Sequence, residues 1–172
     1  MDINSYPLSR QLGEQLSAAG MKIAVAESCT GGDLSRIITR VMGSSQWFDR
    51  GFITYSNQSK IEMLGVDAAL IKTQGAVSEE VAIAMAKGAL DHSDADITVG
   101  ITGVAGPEGG TPEKPVGTVW IAVALKNGHC EVRKTFFESG RKHIRMCTVA
   151  YTLRWLLQEI EKLKTPSDEL IT

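Results

Sequence analysis

The sequence predicts an α/β fold built on a mixed sheet, and three observations lead to this prediction. A β-rich run, a glycine turn and an apolar helical pattern follow one another over residues 22–41, which is half of a βαβ unit. The next β-rich run follows that helix, and a right-handed crossover makes it parallel to the first. The third and fourth β-rich runs are joined without any helical pattern, so as neighbours they must be antiparallel.

Length and charge define the broad class of protein. With 172 residues and no repeat or linker, the chain is predicted to be a single domain over 1–172, with its core at about 6–164. Eighteen basic and twenty acidic residues give a net charge of −2, and the basic residues form no stripe. This argues against a nucleic-acid partner, since such binding depends on neutralising phosphates.

Cysteine usage and hydropathy indicate the compartment. Cys29, Cys130 and Cys147 are odd in number and lack CxxC spacing, which is typical of reduced thiols. The first ten residues contain no apolar run that would indicate a signal peptide, and no segment has the length of a membrane span. We therefore expect a cytoplasmic protein without a membrane partner.

The first half of the chain supplies two strands and four helical segments. A helix is predicted from Pro7, which suits a first turn, to Gly20, a typical stop. The first strand covers 22–26 and the second 50–56, with an apolar helix between them and one or two helical turns after the second. A connector runs to residue 75, and the next helix begins after Ser78 as its N-cap and fades near Asp91.

The second half completes the sheet. The third strand is predicted at 96–102, and a glycine- and proline-rich loop at 103–115 has the character of a functional loop. The fourth strand, 116–125, and the fifth, about 130–137, are joined by an Asn127-Gly128 hairpin. A long amphipathic helix is predicted at about 141–163.

Polar residues follow the strands at one edge of this sheet. Ser28 and Thr102 lie where the first and third strands end, and Tyr55 and Lys60 lie at the end of the second. Open α/β sheets bind ligands at the carboxyl ends of their strands, so we expect these residues around one site. Burial disfavours the ammonium form of a lysine, so a buried Lys60 can accept a serine proton.

The segment 43–60 offers a second serine for that lysine. Gly43, Ser44 and Ser45 precede the second strand, so Ser45 meets Lys60 only if this segment folds back or reaches a neighbouring subunit of a homo-oligomer. The alternative is structural: a serine here caps a short helix, and Lys60 is a solvated charge.

The turn after the first strand is a candidate anion site. Ser28, Thr30, Gly31 and Gly32 precede a helix whose first N–H groups are free to bind an anion. The alternative is that the two glycines only permit a sharp strand-to-helix turn. We leave both interpretations open at this point.

Other chemistries have weaker support in the sequence. His92, His129 and His143 are isolated from one another, which disfavours a zinc site and a Ser-His-Asp triad. Cys29 lies beside a predicted helix N-terminus but lacks an evident base. The Gly100-x-x-Gly103-x-x-Gly106 spacing is interrupted by Pro107 and leads into no helix, which argues against a dinucleotide fingerprint.

Five motifs together resemble the CinA C-terminal-domain family over nearly the whole chain. They are AESCTGG (26–32), GSSxWFxRGFxTYSNxxK (43–60), GAVSE (75–79), TGxAGPxGGTxxKPVGTVW (102–120) and GR(x)3R (140–145). The resemblance implies a three-layer α/β/α sandwich around a five-stranded sheet of order 2-1-3-4-5 with strand 4 antiparallel. It also implies hydrolysis of the carboxamide of nicotinamide mononucleotide to nicotinate mononucleotide and ammonia, a step of pyridine-nucleotide salvage, without metal or cofactor.

The same resemblance implies roles for individual residues. Ser45 would be the nucleophile and Lys60 its base, Tyr55 and Ser28 would relay or orient the proton, and Arg145 would bind the substrate phosphate. The other implied substrate-binding residues are Thr30, Gly31, Gly32, Gly43, Ser44, Thr102, Gly103, Gly106, Gly110 and Thr111. Ser139-Gly140-Arg141 departs from the family's Gly-Asp-Arg, so the alternative hypothesis is a catalytically silent domain that binds a nucleotide or a partner.

Overall fold

The computed structural model describes residues 4–165 of the chain. Within this range the five strands and the helices other than the one at Ala68–Gln74 follow one another in the predicted order, with a short 3-10 helix at Ser44–Gln46 before the second strand. The strands are β1 Ile23–Glu27, β2 Phe48–Ile53, β3 Ile97–Gly103, β4 Thr118–Leu125 and β5 Cys130–Phe136. The helices are α1 Tyr6–Ala19, α2 Asp33–Thr39, α3 Asn57–Leu64, α4 Ala68–Gln74, α5 Glu79–Asp91 and α6 Arg141–Lys164.

The five strands form one mixed sheet of order β2-β1-β3-β4-β5. The strand β1 pairs parallel with both β2 and β3, while β4 pairs antiparallel with β3 and β5. The predicted sheet, including the reversed fourth strand, is therefore confirmed. Because β2 and β3 flank β1 in parallel, three strand carboxyl ends lie side by side at one edge.

Helices cover the sheet on both faces. One face packs against α1, α2 and α6 through a large aliphatic core that includes the buried Trp155, and the other packs against α3, α4 and α5. The helix α5 lies close to the strands because Ala82 and Ala86 face Ala122 and Ala124. A Cβ on Gly100 would come within 2.5 Å of the Ala82 carbonyl oxygen, so only glycine permits this approach.

The two largest differences from the sequence prediction concern the end of β2 and the segment after α3. The strand β2 ends at Ile53 rather than residue 56, because the carbonyls of Thr54 and Tyr55 turn away to accept hydrogen bonds from Lys60. The segment predicted as a connector contains α4, whose N-cap Asp67 accepts a hydrogen bond from the Ala69 amide. Among the described residues, no helix combines the length and apolarity needed to cross a membrane.

Candidate active site

A cavity of about 290 Å³ opens at the carboxyl ends of β1, β2 and β3. Ser28 after β1, Tyr55 and Lys60 after β2, and Thr102 in β3 all line it, as the strand directions predicted. The loop after β3 forms another wall. Its lining residues are Gly103, Val104, Ala105, Gly106, Glu108 and Gly109.

The amino group of Lys60 is enclosed at the base of this cavity. Lys60 is 1% exposed, and its Nζ donates to Ser28 Oγ at 3.0 Å, to the Thr54 carbonyl at 2.9 Å and to the Tyr55 carbonyl at 3.4 Å. It forms no ion pair with any carboxylate of residues 4–165. Burial without a counter-charge lowers the pKa of Lys60 below its usual value.

The contacts of Lys60 accommodate both the ammonium, which donates to all three partners, and the neutral amine. A neutral –NH2 group has two N–H donors and one lone pair, and the two carbonyls of Thr54 and Tyr55 can accept only N–H groups. The lone pair then faces the Ser28 hydroxyl, the one contact that can also donate a proton. In its neutral form Lys60 is therefore placed to remove the proton of Ser28.

A buried glutamate shapes the turn that holds Ser28. Glu27 is fully buried, and its carboxylate accepts hydrogen bonds from the Leu34 amide at 2.9 Å and from the Ser35 amide and hydroxyl at 2.9 and 2.7 Å. It thereby caps α2 in place of the N-cap Gly32, which has no side chain. The sequence analysis missed this role, although an ionisable residue ending an apolar strand was a visible signal.

Cys29 is next to Ser28 but is poorly suited to attack a substrate. Its side chain is 6% exposed, and burial raises the pKa of the thiol to about 12. Thiolates, not thiols, are the reactive nucleophiles. Cys29 is therefore protonated at neutral pH and packs as part of the core.

Arg141 connects the rim of the cavity to the loop after β3. Its Nη2 donates to the Tyr55 hydroxyl at 2.8 Å and its Nη1 to the Gly106 carbonyl at 2.8 Å. The Tyr55 hydroxyl is thus a partner of Arg141, while the Tyr55 backbone carbonyl contacts Lys60. The sequence analysis assigned no role to Arg141, and the structure places its guanidinium on the cavity wall.

The remaining predicted residues of the β3 edge divide into two groups. Thr102 is buried, and its hydroxyl donates to the Ala76 carbonyl at 2.7 Å, which ties β3 to the segment before α5. Gly103 and Gly106 line the cavity, whereas Gly110 and Thr111 do not. Thr111 instead accepts a hydrogen bond from the Lys114 amide and holds the loop together.

Ser45 is far from Lys60 within one subunit. It is exposed on the 3-10 helix that precedes β2, whereas Lys60 follows β2. Six residues of strand separate them by about 20 Å. The expectation that this segment folds back onto Lys60 within the same chain is therefore wrong, and Gly43 and Ser44 lie at the same distant edge.

The turn at 30–32 is also not the predicted anion site. The Leu34 and Ser35 amides of α2 already donate to Glu27, and the Gly31 amide donates to the Ser28 carbonyl. Gly31 and Gly32 have φ values of +56° and +97°, which supports the alternative that they permit a sharp turn. Thr30 is buried and uncharged, so it adds no cationic group that would attract an anion.

Arg145 is turned away from the Ser28–Lys60 cavity. Its Nη2 donates to the Thr30 carbonyl at 3.0 Å and pairs with the Asp33 carboxylate at 3.0 Å. It lines a neighbouring cavity instead. The implied role of Arg145 as a ligand for a substrate bound beside Lys60 is therefore not met by this arrangement.

One group of potential metal ligands occurs in the described part of the chain. His129, Glu131 and Glu159 bring their ligand atoms within 4.8 Å of one another, so His129 is not isolated as the sequence suggested. The group lies at the opposite edge of the sheet from Ser28, where β5 begins. Lys162 pairs with Glu159 at 2.7 Å and with Glu131 at 3.7 Å there.

The fold and the cavity together define an α/β sandwich with a serine–lysine pair at its strand ends. A family model, the CinA C-terminal domain, matches residues 5–160. The chain belongs to the CinA C-terminal domain family, in agreement with the five motifs.

Curated relatives and solved structures extend the comparison. The chain is 48% identical over 158 residues to the nicotinamide-nucleotide amidohydrolase PncC of Escherichia coli (strain K12), which covers 92% of this chain and 96% of that one. It is 45% identical over 157 residues to the protein of the same name from Enterobacter agglomerans, covering 91% and 96%. The crystal structure of the competence/damage inducible protein CihA from Agrobacterium tumefaciens matches with a TM-score of 0.87 and 42% identity, covering 89% of this chain and 93% of that one.

Proposed function

We propose that the protein is a nicotinamide-nucleotide amidohydrolase that converts nicotinamide mononucleotide to nicotinate mononucleotide and ammonia. The observation that carries this proposal is the contact between the buried, uncompensated Nζ of Lys60 and Ser28 Oγ at the base of a cavity. The printed activity of relatives such as PncC, aligned over almost the whole chain, supports the substrate class. The free cysteines suit the cytoplasm as the place of this reaction.

Ser28, rather than Ser45, is the nucleophile in this proposal. Its Oγ attacks the carboxamide carbon while Lys60 accepts the hydroxyl proton, giving a tetrahedral intermediate and an ammonium on Lys60. Lys60 then returns that proton to the amide nitrogen, which leaves as ammonia. Water, deprotonated by the same neutral amine, attacks the Ser28 ester and releases the carboxylate product.

Backbone amides of the loop after β3 are the candidates for stabilising the oxyanion. Ala105, Gly106 and Gly109 line the cavity, and their amides donate no hydrogen bond to any residue of 4–165. Removing one oxyanion donor costs about 2.7–4 kcal/mol in a well-studied serine hydrolase. In this proposal the loop after β3 therefore supplies the oxyanion donors.

Arg141 is the candidate for recognising the substrate phosphate. Apart from Lys60 it is the only cationic residue lining the cavity, and an arginine fork binds phosphate with two parallel hydrogen bonds. The departure at Ser139-Gly140-Arg141 removes an acid from the family pattern but leaves this arginine on the wall. This favours an active enzyme over the silent domain.

The direct test is ammonia release from nicotinamide mononucleotide by the purified protein, with nicotinate mononucleotide identified as the second product. Nicotinamide riboside, which lacks the phosphate, serves as the matched control substrate. We expect stoichiometric ammonia and acid from the mononucleotide, and a kcat/KM for the riboside lower by at least tenfold. Binding of the mononucleotide without any ammonia release would favour the silent nucleotide-binding domain.

A further inference from the structure

A second cavity, of about 450 Å³, lies beside the first, and five of its eleven lining residues are cationic. It lies between the N-terminal ends of α1 and α6 and one side of α2. Among the residues that the structure describes, its cationic lining residues are Arg36, Arg40, Arg141, Lys142 and Arg145, and Asp33 is the one carboxylate. This concentration of positive charge contrasts with the net charge of −2 of the whole chain.

The carboxylates of residues 4–165 neutralise only part of that charge. Asp33 pairs with Arg145 at 3.0 Å and with Arg36 at 3.7 Å. Arg40 and Lys142 form no ion pair with a carboxylate of residues 4–165, and Arg40 lies 5.3 Å from the Tyr6 ring centroid. Like charges in one cavity repel one another, and an anion placed among them removes that repulsion.

Two helix N-termini add to the positive potential. The helix α6 begins at Arg141 behind Gly140, which has no side chain to cap it. The helix α1 begins behind Ser5, which lines the cavity and makes no side-chain cap bond. The helix dipole favours an anion at both ends, and the uncapped N–H groups of α6 add donors, whereas at α1 the Tyr6 amide already donates to Asn4 Oδ1 and Pro7 has no N–H.

The size and the apolar wall indicate more than a free ion. Ile37, Met146 and Val149 line one side, so the cavity offers an apolar surface next to its cations. Small-molecule sites commonly occupy about 300–1,000 Å³ and combine an apolar wall with a few polar anchors. A phosphorylated molecule of nucleotide size meets both requirements.

This cavity is distinct from the one that contains Ser28 and Lys60. The two share Arg141, whose guanidinium is turned towards the Tyr55 hydroxyl and the Gly106 carbonyl on the Ser28 side. The guanidinium of Arg145 is likewise held by the Thr30 carbonyl and by Asp33. These fixed arginines form the wall between the two spaces.

We propose that this second cavity binds a phosphorylated small molecule of nucleotide size, independently of the substrate at Ser28. The inference goes beyond the proposed function, since it follows from the charges of the second cavity and does not require the chemistry of the first.

The test uses inorganic pyrophosphate as the probe, titrated calorimetrically at constant ionic strength. Arg40 and Lys142 are both exposed, and neither belongs to the proposed catalytic machinery, so an Arg40→Gln/Lys142→Gln variant is expected to fold normally. We expect its Kd for pyrophosphate to rise at least tenfold, with kcat/KM for the mononucleotide within twofold of wild type. The matched control, Lys87→Gln/Arg154→Gln, removes two exposed cations elsewhere and should leave the Kd unchanged.

A second measurement separates this site from the phosphate subsite of the substrate. Pyrophosphate is titrated into the Ser28→Ala variant with and without saturating mononucleotide, and its Kd should agree within twofold. Displacement of pyrophosphate by the mononucleotide would overturn the proposal, as would no detectable pyrophosphate binding or an equal Kd in all variants. If the mononucleotide fails to bind, the proposed function fails, and the cation variants still decide the present proposal.

Discussion

At the scale of single residues, the chemistry depends on where the Lys60 amine is held. The Ser28 hydroxyl and the carbonyls of Thr54 and Tyr55 surround its nitrogen. The two carbonyls use the two N–H groups of the neutral form, so the remaining lone pair has a hydroxyl as its neighbour. This arrangement favours Ser28 over Ser45 as the nucleophile, and it leads to two predictions.

The first prediction compares the two serines. Ser28→Ala should lower kcat for ammonia release by roughly a thousandfold or more, since loss of a nucleophile leaves only the contributions of binding and the oxyanion donors. Ser45→Ala should stay within about threefold of wild type, because Ser45 is exposed at the opposite edge of the sheet. Steady-state kinetics and mononucleotide binding measure both effects.

The reverse pattern, with Ser45→Ala inactive and Ser28→Ala active, would restore Ser45 as the nucleophile. It would then require the neighbouring subunit of a homo-oligomer to bring Ser45 to Lys60. Mixing the two variants would report on that arrangement, because subunits that exchange would regain activity at shared sites.

The second prediction concerns pH. Burial lowers the pKa of Lys60 from 10.5, and the neutral amine is the active form, so kcat/KM should rise with pH and level off above a midpoint below 10.5. Lys60→Arg should be inactive at every pH tested, because a guanidinium does not deprotonate in this range. A rate that is flat or falls over the same interval, with the fold intact, would contradict Lys60 as the base.

At the scale of elements, the strand–turn–helix unit β1–α2 positions the nucleophile. The carboxylate of Glu27 accepts three hydrogen bonds from the first turn of α2 while the strand beneath it is fully buried. The Ser28 amide then donates to the Ile101 carbonyl, which fixes the turn to β3. Ser28 is therefore held between the turn that Glu27 caps and the backbone of β3.

The third prediction tests this capping role. In Glu27→Gln an amide NH2 would face either the Leu34 or the Ser35 amide, so one donor is left without an acceptor inside the core. We expect a loss of about 1–3 kcal/mol in the free energy of unfolding. Denaturant unfolding measures it, together with a fall in kcat.

The control for that experiment is Glu14→Gln, which breaks an exposed pair with Arg10 on α1. Exposed pairs of this kind contribute about 0–1 kcal/mol. If both variants lose the same small amount of stability, Glu27 does not support the turn as described.

At the scale of the whole molecule, three polar sites lie at different positions around the sheet. The Ser28–Lys60 cavity lies at the carboxyl ends of β1–β3, the cationic cavity lies beside it under α1 and α6, and the His129 group lies at the opposite edge. Arg141, at the start of α6, is the residue common to the first two. The long helix α6 therefore packs in the core on one face of the sheet, and residues of its first turn line both cavities.

The fourth prediction follows from this separation. Serine–lysine acyl transfer needs no metal ion, and the three potential ligands of the His129 group are at the other end of the strands from Ser28. Dialysis against a strong chelator should leave kcat and KM unchanged. A loss of activity that only a divalent cation restores would show that the reaction needs more than the serine–lysine pair.

Sequence patterns alone were enough to predict the order of the strands along the chain, the reversed fourth strand and the edge at which Ser28, Tyr55, Lys60 and Thr102 meet. These features follow from local periodicity and chain direction, since a strand followed by a helix crosses over and a strand followed by a hairpin reverses. Tertiary structure decided which serine faces Lys60. Two of the motifs each contain one of these serines, and only the folded chain shows that Ser28 contacts Lys60 at the carboxyl end of the strands while Ser45 stays before β2 at the other edge.

Tertiary structure likewise decided that Arg141 lines both cavities, whereas Arg145, one helical turn further along α6, lines only the second. Their partners, Tyr55 and Thr30, are 86 and 115 residues away in the chain. Side-chain contacts over such separations depend on how α6 packs against the sheet. Local sequence patterns carry no record of that packing.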